Sequence, residues 1–280
     1  SGFVTREAFL QTFSTKIEGQ DVLTYFNALD SDRDGRINYI EWTNNLQLED
    51  LPLLTKHCTQ SGPLSASVLS AEELVLLKRM KARVYHLAEL AKQLGVRLMI
   101  DAEHSYFQPA IDFVTQDLCK MYNAPNSSSS NGSSGERQRD IPVIFSTYQM
   151  YLKDSMARLT VDMDRAQRGG YTFAAKLVRG AYMVIERQHA QEHRLEDPIH
   201  DTIQNTHENY NRGVQSVIER IAQGQRAEVM IATHNQDSVS HAVACMQKHG
   251  MDAVSAPVYF GQLLGMADHL TFGLAHHKYK

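Results

Sequence analysis

Lys176, Arg179 and Tyr182 close the segment FAAKLVRGAY (173–182), which starts as the apolar run of a strand covered on both faces. A fixed positive charge at the end of a buried strand is costly unless an anion sits beside it. Taken alone, this strand also allows a snorkelling Lys176 and a surface-paired Arg179. Three other apolar runs end in the same way, however. LMIDAE brings Asp101, Ala102 and Glu103, its carboxylates two residues apart and so on one side of a strand. PVIFSTYQ brings Ser146, Thr147, Tyr148 and Gln149, and IATHN brings Thr233, His234 and Asn235. Singly each is weak. His234 alone reads as a structural histidine or a cap, and Asp101 with Glu103 as a solvated strand end. Polar groups at the same end of successive strands converge on one site. Two cations, a His-Asn pair and no metal-ligand spacing suit an anionic organic cofactor or substrate, with Lys176 under delocalised negative charge. A glycosidase needs two carboxylates facing one another across a cleft, and Asp101 and Glu103 on one strand make that reading poor. A Schiff-base role for Lys176 stays open on chemistry alone.

The elements that hold these residues alternate. Residues 71–94 predict a helix, with Glu72 and Glu73 near its start, Lys92 near its end and Gly95 beyond. Strands follow at 96–103, 142–149, 173–178, 227–233 and 253–260, and a last apolar segment at 270–274 makes six. Helices are predicted between them at 109–122, 153–168, about 200–223 and 236–249. Repeated strand–helix units mean an α/β fold with a parallel sheet, and six strands with short loops favour a TIM-like barrel over an open sheet. No GxGxxG opens a helix. NSSSSNGSSG (126–135) predicts a flexible linker on the bottom face, without function.

Residues 1–50 are of another kind. A helix is predicted over 20–29, and the next twelve residues fit an EF-hand loop. Asp30, Asp32, Asp34, Asn38 and Glu41 would supply side-chain oxygens, Arg36 its backbone carbonyl, and Gly35 the sharp turn. Hard anionic oxygens suit Ca²⁺. No second loop of this pattern is present, and the alternatives are a loop that keeps the shape with little affinity, or a Ca²⁺-binding module beside a non-catalytic barrel. Residues 51–70 connect this EF-hand-like insertion to the barrel (71–280).

The totals set bounds. In 280 residues, 42% apolar and 21% charged content are ordinary for a globular chain, and a net charge of −4 gives no reason to expect nucleic acid. No apolar run reaches membrane-spanning length. Cys58, Cys119 and Cys245 lack ligand spacing and read as reduced, mostly buried thiols in an intracellular compartment.

LMIDAE, KLVRGAY, ATHN and VYFGQLLGM together resemble proline dehydrogenases of the monofunctional eukaryotic mitochondrial type, over about residues 71–275. The resemblance implies a (βα)₈ barrel holding FAD at its strand ends. It implies oxidation of L-proline to Δ1-pyrroline-5-carboxylate by hydride transfer to flavin N5, with electrons passing to ubiquinone. It further implies peripheral association with the matrix side of the mitochondrial inner membrane. Hydroxyproline is the alternative substrate. Asp101 would be the acidic catalytic residue with Ala102 against the flavin, Lys176 would lie beside the isoalloxazine, and Tyr182 would wall the proline ring. Arg179 would lie near FAD phosphate or ribityl groups, and Gly180 and Ala181 would bring backbone close to the cofactor. Thr233 and His234 would hydrogen-bond FAD, with Asn235 in support. Ser146 stands where bacterial members carry Gln, and is too short to reach the flavin except through water. The family's first-strand Lys and last-helix Arg pair have no counterpart, so the chain reads as strands two to seven of the barrel, and weak turnover is expected of it alone.

Overall fold

The computed structural model describes residues 2–13, 16–17, 20–46, 48–58, 60, 62–125 and 141–280. They form two compact units, Ser1–Val84 and Tyr85–Lys280. The 126–135 linker lies outside the described residues.

The first unit runs β1 (Phe3–Thr5), α1 (Arg6–Thr12), β2 (Lys16–Ile17), β3 (Gln20–Asp21), α2 (Val22–Leu29), β4 (Arg36–Asn38) and α3 (Tyr39–Asn45). A 3₁₀ turn at Leu48–Asp50, α4 (Leu51–Lys56), α5 (Pro63–Ala66) and the long α6 (Ala71–Leu94) follow, α6 continuing past the unit's end at Val84. Val22, Phe26 and Leu29 recur at helical spacing and bury one face of α2 against Phe9, Phe13, Ile37 and Leu54. β1 pairs antiparallel with β4, Val4 opposite Ile37. The strand–helix step is repeated: Thr5 caps α1 by accepting from the Ala8 amide, as Asn38 caps α3 by accepting from the Glu41 amide. Residues 3–12 thus form a partner half to the 36–45 segment. The loop pattern missed it because Ala8 stands where Glu41 stands.

Glu41 is 3% exposed, and its carboxylate accepts from the Ser31 amide at 2.9 Å, the Ser31 hydroxyl at 3.0 Å, the Asp32 amide at 3.1 Å and the Asn38 amide at 3.0 Å. Burial raises its pKa, but the donors from Asn38, Asp32 and Ser31 outweigh burial and hold it below the ordinary value of 4.5. A depressed folded-state pKa contributes stability that is present above the unfolded value and lost as pH falls through the folded one. Trp42, the one tryptophan, packs on this core and reports it by fluorescence. Urea unfolding followed at Trp42 should therefore show stability falling as pH drops below about 4.5. Glu41→Gln should cost about 2 kcal/mol at pH 7 and flatten that acid limb.

The second unit runs β5 (Leu98–Ile100), α7 (Gln108–Tyr122), β6 (Ile144–Gln149), α8 (Ser155–Gly169), β7 (Phe173–Val178), α9 (Met183–His193), α10 (Ile203–Ala222), β8 (Ala227–Ala232), α11 (Gln236–Lys248), β9 (Val258–Gly261) and α12 (Asp268–His276). The five strands pair in sequence order, all parallel, so each crossover is helical. The sixth predicted strand is a correction: residues 270–274 lie in α12, where Leu270 and Leu274, four apart, bury against Val239 and Ala267. Helix α9, directly after the KLVRGAY strand end, was not foreseen.

The sheet is curled. The Arg97 guanidinium, just before β5, donates to Glu228 on β8 at 2.9 Å and to the Tyr259 hydroxyl on β9 at 2.7 Å. In a flat sheet, strands three apart are separated by about 14 Å. The ion pair closes because the face carrying these side chains is concave. Among the described residues the sheet forms an arc with edges at β5 and β9, and no closed barrel is present.

Candidate active site

The pleat sorts the strand-end residues onto two faces. Thr147 stands opposite Lys176, and Lys176 opposite Met230. The concave face therefore carries Asp101, Thr147, Gln149 and Lys176 in step with Arg97, Glu228 and Tyr259. Ser146 and Tyr148 point the other way, into a cavity shared with Asp112, Cys119 and Asp162 of the helix layer. There the Tyr148 hydroxyl donates to the Asp162 carboxylate at 2.8 Å, and burial raises the pKa of both groups. This corrects the expectation for Ser146. One residue along, the alternation turns it away from the strand-end site, and Gln149 takes its place. The Gln149 amide donates to the Glu103 carbonyl at 2.7 Å and accepts from the Ala181 amide at 3.3 Å, tying the loops after β5 and β7 together.

Lys176 pairs with Asp101, two strands away across the concave face. Its ammonium side chain is 19% exposed while Asp101 is 73% exposed, so the pair opens toward solvent on the carboxylate side. Beside it the Thr147 hydroxyl is buried with no hydrogen-bond partner, a polar atom left for a bound group to satisfy. Tyr182 lies against His104, ring centres 4.3 Å apart, and its phenol bonds to Glu103, which raises its pKa. The buried Glu186 of α9 accepts from the Ser105 amide and hydroxyl, both at 2.6 Å, clamping the loop after β5 to α9. Asp101, Lys176 and Tyr182 thus share one neighbourhood.

Arg179 builds the second half of the site. Its Nε donates to His207 Nδ1 at 3.0 Å, Nη1 to the Thr233 hydroxyl at 2.7 Å and Nη2 to the Ser238 hydroxyl at 2.8 Å, with the Tyr210 ring 4.3 Å from the guanidinium carbon. Every partner is neutral, and no ion pair to Arg179 occurs among the described residues. Burial alone lowers its pKa, yet a guanidinium stays charged. The result is a fixed, uncompensated positive charge held at a strand end, ready for an anion.

Other predicted residues are spent inside the protein. Thr233 receives Arg179 and the Asn235 amide on its hydroxyl and bonds to Tyr210, so it holds Arg179 instead of presenting a free hydroxyl. The Asn235 side chain caps α11 by accepting from the Ser238 amide at 2.9 Å. His234 is exposed; its Nε2 accepts from the Leu263 amide at 2.9 Å, which leaves Nδ1–H as the donor of the neutral ring. His207, Ser238 and Tyr210 are absent from the strand-end set, and Gln149 stands in it without a role of its own. Only the helical spacing of His207 and Tyr210 hinted at a shared face.

Gly180 has φ of 145°, and a Cβ there would meet the Tyr151 ring at 2.4 Å. Both the backbone angle and the aromatic wall demand glycine. Gly180→Ala should destabilise the second unit by about 3 kcal/mol, measured by urea unfolding with tyrosine circular dichroism as probe. Wild-type stability in that variant would mean that Tyr151 moves aside freely.

A curled parallel sheet with paired and unpaired cations at its carboxyl ends has the architecture in which α/β barrels place their ligand sites. The comparisons agree. Residues 12–280 match the family described as proline dehydrogenase, and the chain belongs to that family. Proline dehydrogenase 1, mitochondrial, of Homo sapiens is 37% identical over 265 residues, covering 92% of this chain and 41% of that protein. Human hydroxyproline dehydrogenase is 36% identical over 217 residues, covering 77% of this chain and 44% of that protein. The chain thus spans under half the length of the curated relatives it matches. Among solved structures, proline utilization A from Bdellovibrio bacteriovorus, inactivated by N-propargylglycine, superposes with a TM-score of 0.62 at 20% identity, over 72% of this chain and 19% of that one. That likeness establishes the fold.

Proposed function

We propose that this chain carries the flavin-binding strand ends of a proline dehydrogenase, which oxidises L-proline to Δ1-pyrroline-5-carboxylate. The observation that carries this reading is Arg179, a cation set at a strand end among neutral partners, together with Lys176, three residues earlier on the same segment and paired with Asp101. The residues fit FAD. Arg179 would offer charge and two unused N–H groups to its phosphate-bearing part, the orphaned Thr147 hydroxyl and Lys176 would be available to its ring system, and His234 would offer Nδ1–H. When bound, FAD accepts the hydride equivalent that proline gives up. The protein's own contributions are electrostatic and positional. Lys176 stabilises negative charge accumulating on a neighbouring ring, and Asp101 keeps that ammonium in place. Tyr182, braced by His104 and Glu103, supplies an aromatic wall for a small saturated ring. The missing Cβ of Gly180 makes room for the Tyr151 ring, and Gly180 and Ala181 are proposed to present their backbone to the ligand. Electrons are proposed to leave to ubiquinone at the mitochondrial inner membrane, matrix side; the relatives' names support the mitochondrial compartment and nothing finer. No helix among the described residues is long and apolar enough to cross a membrane.

Anaerobic addition of L-proline to the FAD-loaded protein tests the reading: the 450 nm flavin band should bleach. A band that persists with proline and bleaches with hydroxyproline would move the assignment to the second relative. Unchanged absorbance with both would reject it.

In the first unit, carboxylate oxygens of Asp30, Asp32 and Glu41 lie within 4.8 Å of one another, and Gly35 makes the turn with φ of 82°. This arrangement supports Ca²⁺ as its ligand, with Asp34, Asn38 and the Arg36 carbonyl completing the set. Asn38 is at present engaged as the α3 cap. Calorimetric titration with Ca²⁺ should give one site that Glu41→Gln abolishes, and a flat titration of the wild type would leave the loop purely structural.

A further inference from the structure

We propose that His207, in the second turn of α10, is a positioning residue that locks the Arg179 guanidinium in the orientation in which it receives the anionic part of the cofactor. The inference rests on the flavin reading and adds to it a residue from outside the strand ends. A guanidinium has five N–H groups in one plane. In Arg179 three are anchored, one at each nitrogen: Nε by His207, Nη1 by Thr233 and Nη2 by Ser238. The Tyr210 ring covers one face of that plane. One N–H on each terminal nitrogen is left over, and the direction of both is set once the plane is set. The anchors are unequal. The two hydroxyls can rotate, and each serves other partners: Thr233 accepts from the Asn235 amide, and Ser238 donates to Asn211 at 2.7 Å. The Nε edge carries a single hydrogen, and His207 is its one acceptor. It anchors the edge of the plane nearest the stem, which neither hydroxyl reaches.

The contact dictates the state of the ring. Arginine is only a donor, so Nδ1 of His207 presents a lone pair and the ring proton sits on Nε2. A doubly protonated ring would lose the bond and set a second cation 3.0 Å from the first. His207 supplies a neutral acceptor, so the charge of Arg179 is held without being cancelled. A carboxylate at this position would hold the guanidinium equally well and would cancel the charge that an anionic ligand needs.

The test is a double-mutant cycle read by FAD binding to the full chain, from the quenching of flavin fluorescence. His207→Leu should weaken FAD binding about tenfold, the loss of one hydrogen bond to a charged group. His207→Gln, which restores an acceptor, should stay within about threefold of wild type. Arg179→Leu should weaken binding by about a hundredfold, and adding His207→Leu to it should change nothing further. Near-ultraviolet circular dichroism of each apoprotein checks the fold, and ¹⁵N spectra of the wild-type imidazole, which need no variant, should show the Nε2–H tautomer at His207. His207→Leu binding as wild type, a further tenfold loss in the Arg179→Leu background, or an Nδ1–H tautomer would each overturn the proposal while leaving the flavin reading intact. Wild-type protein that binds no FAD would remove both.

Discussion

Arg179→Leu should reduce FAD affinity by about two orders of magnitude and leave the apoprotein folded. Hydrogen bonds to charged groups contribute about 1.5–3 kcal/mol each, and Arg179 has two N–H groups unspent. A loss of about 2.7 kcal/mol corresponds to a hundredfold change in dissociation constant. The stability of the apoprotein should move much less. The wild-type cation is already half desolvated without a counter-charge, so its removal relieves one cost while leaving the Thr233 and Ser238 hydroxyls short of a partner. Arg179→Lys should recover part of the binding, about tenfold weaker than wild type, because an ammonium keeps the charge and loses the planar fork. The measurement is a fluorescence titration with FAD, paired with thermal unfolding of each apoprotein. Undiminished affinity in Arg179→Leu would show that the anion binds elsewhere.

Lys176→Met should slow reduction of the bound flavin by L-proline by about a thousandfold, with FAD affinity changed by less than tenfold. Removing one fixed charge or donor aimed at developing negative charge costs about 10²–10³ in rate. Lys176 has the placement for that role: it is largely buried on the concave face, beside the orphaned Thr147 hydroxyl, and held by Asp101. Asp101→Asn should have a smaller effect, about tenfold to a hundredfold, since it loosens the ammonium without deleting it. Anaerobic stopped-flow at 450 nm measures both. The same experiment separates the flavin role from a Schiff base at Lys176. An ammonium engaged with a carboxylate is not the free amine that attacks a carbonyl, so borohydride should trap no substrate on Lys176. A Lys176→Met variant reduced at the wild-type rate would assign the charge to packing alone.

What could be read from the chain followed from local rules. Apolar runs ending in polar residues marked four of the strands, and glycines and charge placement marked the ends of α6, α8 and α11, because these signals reside within one element. Residues 270–274 misled for a local reason as well: Leu270, Phe272 and Leu274 within five residues are too few to separate a strand from a short helix, and the spacing of Leu270 and Leu274 decided for the helix only once Val239 and Ala267 lay beneath it. The half-repeat in residues 3–12 escaped because its pattern lacks the acidic residue at Ala8, and the pairing of Val4 with Ile37 is a contact across more than thirty residues.

The candidate site divides along the same line. Lys176, Arg179, Asp101 and Tyr182 are legible because polar groups recur at the close of successive strands, although each taken singly also has a solvated reading. Which neighbours they face is a different matter. Ser146 and Gln149 lie on one strand and are both polar; the pleat turns one into the helix layer and the other toward Ala181, and only the register with β7 says which. His207 lies 28 positions from Arg179, and Ser238 lies 59, so nothing in either local segment reveals that they share a guanidinium. The amino-acid order by itself determined the alternation of elements and the placing of fixed charge at their ends, since both arise from interactions within a few residues. Tertiary structure alone decided which charge is neutralised, as at Lys176 with Asp101, and which is held open, as at Arg179, because that choice is made by side chains brought together from distant strands and helices when the sheet curls.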